Sequence, residues 1–151
     1  FAYDESWDEV GNQWITTAKL PSFCWNDERS TPQAWHTSIM ALTGPGTAFE
    51  TMQVREHEPV PPDTIIAIEV ADAHVLWTEP GDLDIGEIPA SIVRGTEGDG
   101  VCVLFADASA WFLKSDVPLE DLRKFFTVAG AEQYDREKVL RPYVEYPTGL
   151  H

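Results

Sequence analysis

A chain of 151 residues is enough for one domain with a proper core and short for two. Its 26 acidic and 10 basic residues leave a net charge of −16, which disfavours nucleic acid and anionic membrane surfaces as partners. It suits a solvated acidic surface, or one that gathers a hard cation such as Ca²⁺. There is no apolar segment of spanning length, no signal peptide, and no CxxC, HExxH, Walker loop, GxSxG or GxGxxG pattern. The chain opens on Phe1 rather than Met, so it is expected to be a processed or truncated product, or part of something longer.

Ser6-Trp7-Asp8-Glu9 is a capping-box pattern, and Trp7, Val10 and Trp14 recur at helical spacing, so a short helix with an aromatic stripe facing the core is expected. Leu20 to Trp25 reads as extended, and Asn26 to Gln33 as a polar loop. Trp35 to Thr43 reads as a strand ended by Gly44-Pro45-Gly46, a triplet that marks a tight, specific loop. Glu56 to Asp63 is a proline-rich acidic connection. Thr64 to Val70 is a clear strand, apolar except for Glu69. A carboxylate there is costly unless it lies at the strand's exit or is held by a cation or an arginine. His74 to Thr78 is a further short strand.

Glu79 to Glu87 reads as a loop dense in carboxylates. Asp82, Asp84 and Glu87 are the candidate oxygen ligands for one Ca²⁺, although the full twelve-residue calcium-loop pattern is missing. Glu97-Gly98-Asp99-Gly100 is a second acidic stretch, and its glycines imply a mobile or sharply bent approach to the next strand. Val101 to Ala106 and Ala110 to Leu113 are apolar runs separated by Asp107-Ala108-Ser109, which is how a β-hairpin reads. Runs apolar at every position are expected to be covered on both faces, which makes this hairpin the predicted centre of a sheet. A type I′ turn after Asp107 would normally take Gly; Ala108 there costs about 1 kcal/mol at positive φ. Either the turn type differs or the strain is tolerated.

Beyond the hairpin, Asp116 or Val117 caps a predicted helix with Pro118 in its first turn. Leu119, Leu122, Phe125, Phe126 and Ala129 form its apolar face, and Gly130 is its expected stop. Glu132 to His151 is charged, carries Pro142 and Pro147, and is expected to wrap the surface. Cys24 and Cys102 permit one disulfide without demanding it.

Taken in order, Trp7-Asp8, Leu20-Pro21-Ser22-Phe23-Cys24, Thr43-Gly44-Pro45-Gly46-Thr47-Ala48-Phe49, Ile65 to Val70, Trp77 to Leu83 and Phe105-Ala106-Asp107 form a distinctive set. From Tyr3 to Glu132 the chain resembles the planctomycete prepilin-like proteins whose C-terminal domain carries a His, nine residues, then Asp-Gly. That resemblance implies export and a periplasmic, cell-surface or extracellular location. It also implies an upstream pilin-like hydrophobic helix absent from this chain, which would be its only membrane attachment. Residues 1–151 would then be a single α+β head of pseudopilin type, an antiparallel sheet packed against one or two helices. The signature is altered here: its His position is Glu97, and the Gly after Asp107 is Ala108. The family's Cys-Pro-Ser run is Cys24-Trp25-Asn26.

Three functional classes are open. The leading one is a non-enzymatic structural or assembly subunit with protein partners in a homo- or hetero-assembly and no cofactor. The second is a module binding an extracellular solute or glycan, with Trp25, Trp35 or Trp77 stacking on sugars and Ca²⁺ as its cofactor. The third is a hydrolase using Glu56 with Glu58, or Glu97 with Asp107, which would need one carboxyl kept neutral and one ionised. His36, His57 and His74 lack metal-ligand spacing.

Overall fold

The computed structural model describes residues 6, 8–16, 36–50, 59–71, 73, 75–76, 78–79, 81–96 and 98–145, with Gln13 and Thr16 described by backbone alone. The fold is mixed α+β. A five-stranded sheet carries β2 (Ile39–Thr43), β3 (Ile65–Glu69), β5 (Asp82–Asp84), β6 (Gly100–Phe105) and β7 (Ala110–Lys114), in the order β5-β2-β3-β6-β7. All neighbours are antiparallel except β2 and β5, which run parallel. A second sheet pairs β1 (His36–Thr37) with β4 (Val75–Leu76). No helix among the described residues is long and apolar enough to cross a membrane.

The predicted strand from Trp35 to Thr43 is thus divided at Ser38 between two sheets. Thr37 and Ser38 explain the break: the Thr37 hydroxyl accepts from the Ile39 N–H at 3.2 Å, and the Ser38 carbonyl accepts from the Val70 N–H at 2.6 Å. In β3 the register with β6 shifts between Ile65 and Ala67. That irregularity lets Ile65 and Ile68, three apart, both enter the core, where strict alternation would send them to opposite faces. From β6 the core receives Val101, Val103 and Phe105; Cys102 and Leu104, between them, are half-buried.

The hairpin is therefore not the sheet's centre. β3 occupies the middle, β6 lies next to it, and β7 is an edge strand. Its apolar sequence is covered by other means. Trp111 packs edge-on against Phe105 at 5.2 Å between ring centroids, with Arg136 and Arg141 over its ring. The outer edge meets the C-terminal segment, where Val144 bridges Leu113 and the Glu145 N–H donates to the Phe112 carbonyl at 3.0 Å.

Downstream of the hairpin the single predicted helix is two. The first, α2 (Leu119–Arg123), is preceded by Pro118 at its N-cap; the second, α3 (Val128–Gln133), is capped by Thr127, whose hydroxyl accepts from the Gly130 N–H at 3.1 Å. Phe125 and Phe126 lie between them, fully buried. Gly130 sits inside α3 rather than ending it, Ala129 is exposed, and Ala131 enters the core in its place. The charged tail is also more than a wrap. It forms α4 (Arg136–Val139) and a 3₁₀ turn (Arg141–Tyr143), and Leu140 enters the core without any exposure.

At the other end of the chain, α1 (Gln13–Thr16) is a single turn. Val10 precedes it and is 80% exposed, and Trp14 is 64% exposed, so the expected core-facing stripe does not form among the described residues. A helix of one turn cannot place both on one buried face.

Candidate functional site

The hairpin loop holds the most heavily connected group of polar side chains among the described residues. Phe105 N–H donates to the Ser109 carbonyl and Ala108 N–H to the Phe105 carbonyl, each at 2.9 Å. Ala106-Asp107-Ala108 is therefore a three-residue loop, a type I turn closed by one left-handed residue, rather than the two-residue I′ turn. The left-handed residue is Ala108, at φ 65, and no other described non-glycine residue has positive φ. Both alternatives raised by the sequence hold: the turn type differs, and Ala108 stands where glycine is favoured.

Asp107 folds back on this loop, accepting from the Ser109 N–H at 2.9 Å and the Ser109 hydroxyl at 2.6 Å. Arg136, brought in by α4, pairs with both of its oxygens through Nη1 and Nη2, and also donates to the Ser109 hydroxyl at 3.0 Å. The same guanidinium reaches Asp63, just before β3, through Nε at 3.1 Å, and the Arg136 backbone N–H donates to that carboxylate at 3.2 Å. The guanidinium carbon lies 4.5 Å from the centre of the Phe105 ring and 5.0 Å from that of Trp111. Planar, delocalised guanidinium is suited to this combination of forked pairing and ring stacking. The hydrogen bonds from Arg136, then those from Ser109, hold the Asp107 carboxyl well below the usual carboxylate range, and Asp107 in turn raises Arg136. This clasp joins three distant parts of the chain: the entry to β3, the hairpin tip and α4.

A second group surrounds Glu69, the last residue of β3, which is nearly buried at 8% exposure. It stands at the strand's exit, the first of the two arrangements the sequence allowed, and hydroxyl and backbone donors hold it there. Its carboxylate accepts from the Thr96 N–H at 3.0 Å, the Thr96 hydroxyl, and the Cys102 N–H at 2.9 Å. Gly95 makes this possible: it stands at φ 55, and a Cβ there would collide with the Gly100 carbonyl oxygen. Burial, then the neighbouring Glu69 carboxylate, pushes the Cys102 thiol up to about 11, so it is held as the inert protonated form. Cys102 has no disulfide partner among the described residues, and Cys24 lies outside them.

The calcium candidates are not gathered. Asp82 and Asp84 lie on the edge strand β5, and all three carboxylates, Glu87 included, are exposed. Asp84 accepts from the Gly86 N–H at 2.7 Å, closing its own turn. No three His, Cys, Asp or Glu side chains converge on a metal-sized space among the described residues. The signature position Glu97 lies outside the described residues, as do Glu56, Glu58, His57, His74, Trp7, Trp25, Trp35 and Trp77.

The Gly44-Pro45-Gly46 loop is tight as expected, with Gly44 at φ 116 and Gly46 at φ 78. Thr47 donates from its hydroxyl to the Gly44 carbonyl at 2.9 Å, and Glu50 accepts from the Gly46 N–H. Thr43, Gly44, Pro45, Phe49 and Glu50 line an open depression of about 270 Å³ beside it. The Gly46 carbonyl accepts from Val128 at 2.9 Å, tying the loop to α3.

Sequence reasoning placed Asp107 and Ala108 at the turn but missed Arg136, which lay in a stretch read only as charged tail. Arg136 is 29 residues from Asp107 and 73 from Asp63, a separation no local pattern reports. No protein family, curated protein or solved structure matches the chain.

Proposed function

We propose that this chain is the head of an exported, non-enzymatic structural or assembly subunit of pilin-like or pseudopilin-like type. Its place of work would be the periplasm, the cell surface or the exterior. The observation that carries this reading is the use made of the signature aspartate. Asp107 is bound by Arg136 and Ser109, and through them it anchors the C-terminal helix to the sheet. With its oxygens taken up by Arg136 and Ser109, Asp107 is used as a brace, and held ionised it could fill only the ionised role of a catalytic pair. The α+β fold agrees with a head of this kind, and the resemblance to prepilin-like proteins supplies the rest. The test is cross-linking and purification of the whole native protein from its own cells. The reading expects it in an assembly with its own kind or with a secretion apparatus; protein recovered only as dispersed monomer would overturn it.

One observation favours the second reading, a module for an extracellular solute or glycan: Trp14 is 64% exposed, and exposed indole offers an apolar face with a polar handle. Glycan titration followed by tryptophan fluorescence tests this, with Trp14→Ala as the control. A calcium-dependent rise in melting temperature tests the cation at Asp82, Asp84 and Glu87. No rise at millimolar Ca²⁺ would remove it.

A further inference from the structure

In an antiparallel ladder the backbone groups of successive residues alternate between the partner strand and the open side. Trp111 and Leu113 lie opposite Val103 and Val101. The Phe112 carbonyl points away from β6, since it takes the Glu145 N–H at 3.0 Å. The outer edge of β7 is thus a row of groups on Ala110, Phe112 and Lys114, met by the segment that carries Val144 and Glu145. That segment is fastened upstream by the Arg136 clasp and by buried Leu140.

We infer that residues 136–145 are a guard on the β7 edge, and that its release opens the edge to the same strand of a second copy of this chain. The strand is suited to pairing with itself. In an antiparallel register centred on Phe112, each Phe112 faces its mate, Trp111 faces Leu113, and Lys114 faces Ala110. No like charges meet, and apolar partners do, which is the pattern that favours cross-strand pairing. The remaining obstacle is the net charge of −16 on each copy, a repulsion that salt screens. This inference does not rest on the assembly reading. A partner apparatus acting elsewhere on the head would leave it untouched, and dimerisation through β7 would not by itself make the protein a pilin-like subunit.

Two variants release the guard by different routes. Arg136→Ala removes its fastening. Glu145→Pro deletes the N–H that bonds Phe112 and leaves the clasp intact. Val144, at φ −69 and ψ 127, already has the conformation favoured before proline. In sedimentation velocity the folded Glu145→Pro protein is expected to form a dimer that tightens with added salt, at concentrations where the unaltered chain is monomeric. Arg136→Ala should do the same. Adding Ala110→Lys to Glu145→Pro sets the introduced ammonium against Lys114 twice in the symmetric pair and should weaken the dimer about tenfold. The inference is overturned if Glu145→Pro keeps the association state of the unaltered chain, or if its dimer is indifferent to Ala110→Lys.

Discussion

Ala108 shows how a single residue can be read against its backbone. At φ 65 its Cβ crowds the adjacent peptide, a cost of about 1 kcal/mol for an L-residue that glycine does not incur. Glycine would also make the unfolded chain more flexible, an opposing loss of about 0.4–1 kcal/mol. Ala108→Gly is therefore expected to be neutral or stabilising by up to about 0.6 kcal/mol in urea unfolding. A clear loss of stability would mean the loop has been rebuilt around alanine. Cys102 gives the second prediction at this scale. Its thiol titrates at about 11 in the folded chain against an ordinary 9.0, so its contribution to stability is complete below about pH 9 and is lost as the pH rises through 11. In a Cys24→Ser background, alkylation of Cys102 at pH 8 should be slow in the folded protein and fast in urea. Equal rates would show that the thiol is neither shielded nor held protonated by burial beside Glu69.

The elements were legible in the sequence where one local signal decided them. Ile65 to Glu69 and the hairpin strands were found from apolar runs bounded by turn residues, and the Gly44-Pro45-Gly46 loop from its composition. What was missed has a different cause in each case. Strand β5, three residues with two aspartates, carries too little alternation to stand out; it pairs with β2, and the Ile85 N–H continues the ladder to the Thr43 carbonyl at 2.9 Å. The helix expected from Leu119 to Ala129 breaks because Thr127, at φ −116 and ψ 150, uses its hydroxyl as a cap. Gly130 then reads as a stop, but its absent side chain answers to a neighbour: a Cβ there would collide with the Lys124 carbonyl oxygen. Gly→Ala in an exposed helix ordinarily gains up to about 1 kcal/mol. Here the backbone of the preceding turn would have to move, so Gly130→Ala is expected to lower the melting temperature. Thr127→Ala should cost about 1 kcal/mol through the lost cap. A rise in stability from either substitution would show that the break between the two helices is not held in this way.

At the scale of the molecule, the Arg136 clasp connects the beginning of β3, the hairpin tip and the C-terminal segment, and so determines how the edge of the sheet is closed. Its dependence on pH has a definite sign. Asp107 has a folded pKa below its ordinary 3.8, so the clasp contributes stability above about pH 4 and loses it as the pH falls further. An Asp107→Asn chain should lack that part of the acid limb while keeping the alkaline limb set by Cys102. Whether Asp107 and Arg136 act as one unit, the basis for treating Asp107 as a brace, is measured most directly by a double-mutant cycle. Urea unfolding at neutral pH of the unaltered chain, Asp107→Asn, Arg136→Met and the double variant gives the coupling between them. Pairs in direct contact within one network couple by about 0.5–3 kcal/mol, and a forked pair with Arg136 only 13% exposed is expected to reach at least about 1 kcal/mol. Coupling indistinguishable from zero would contradict the account.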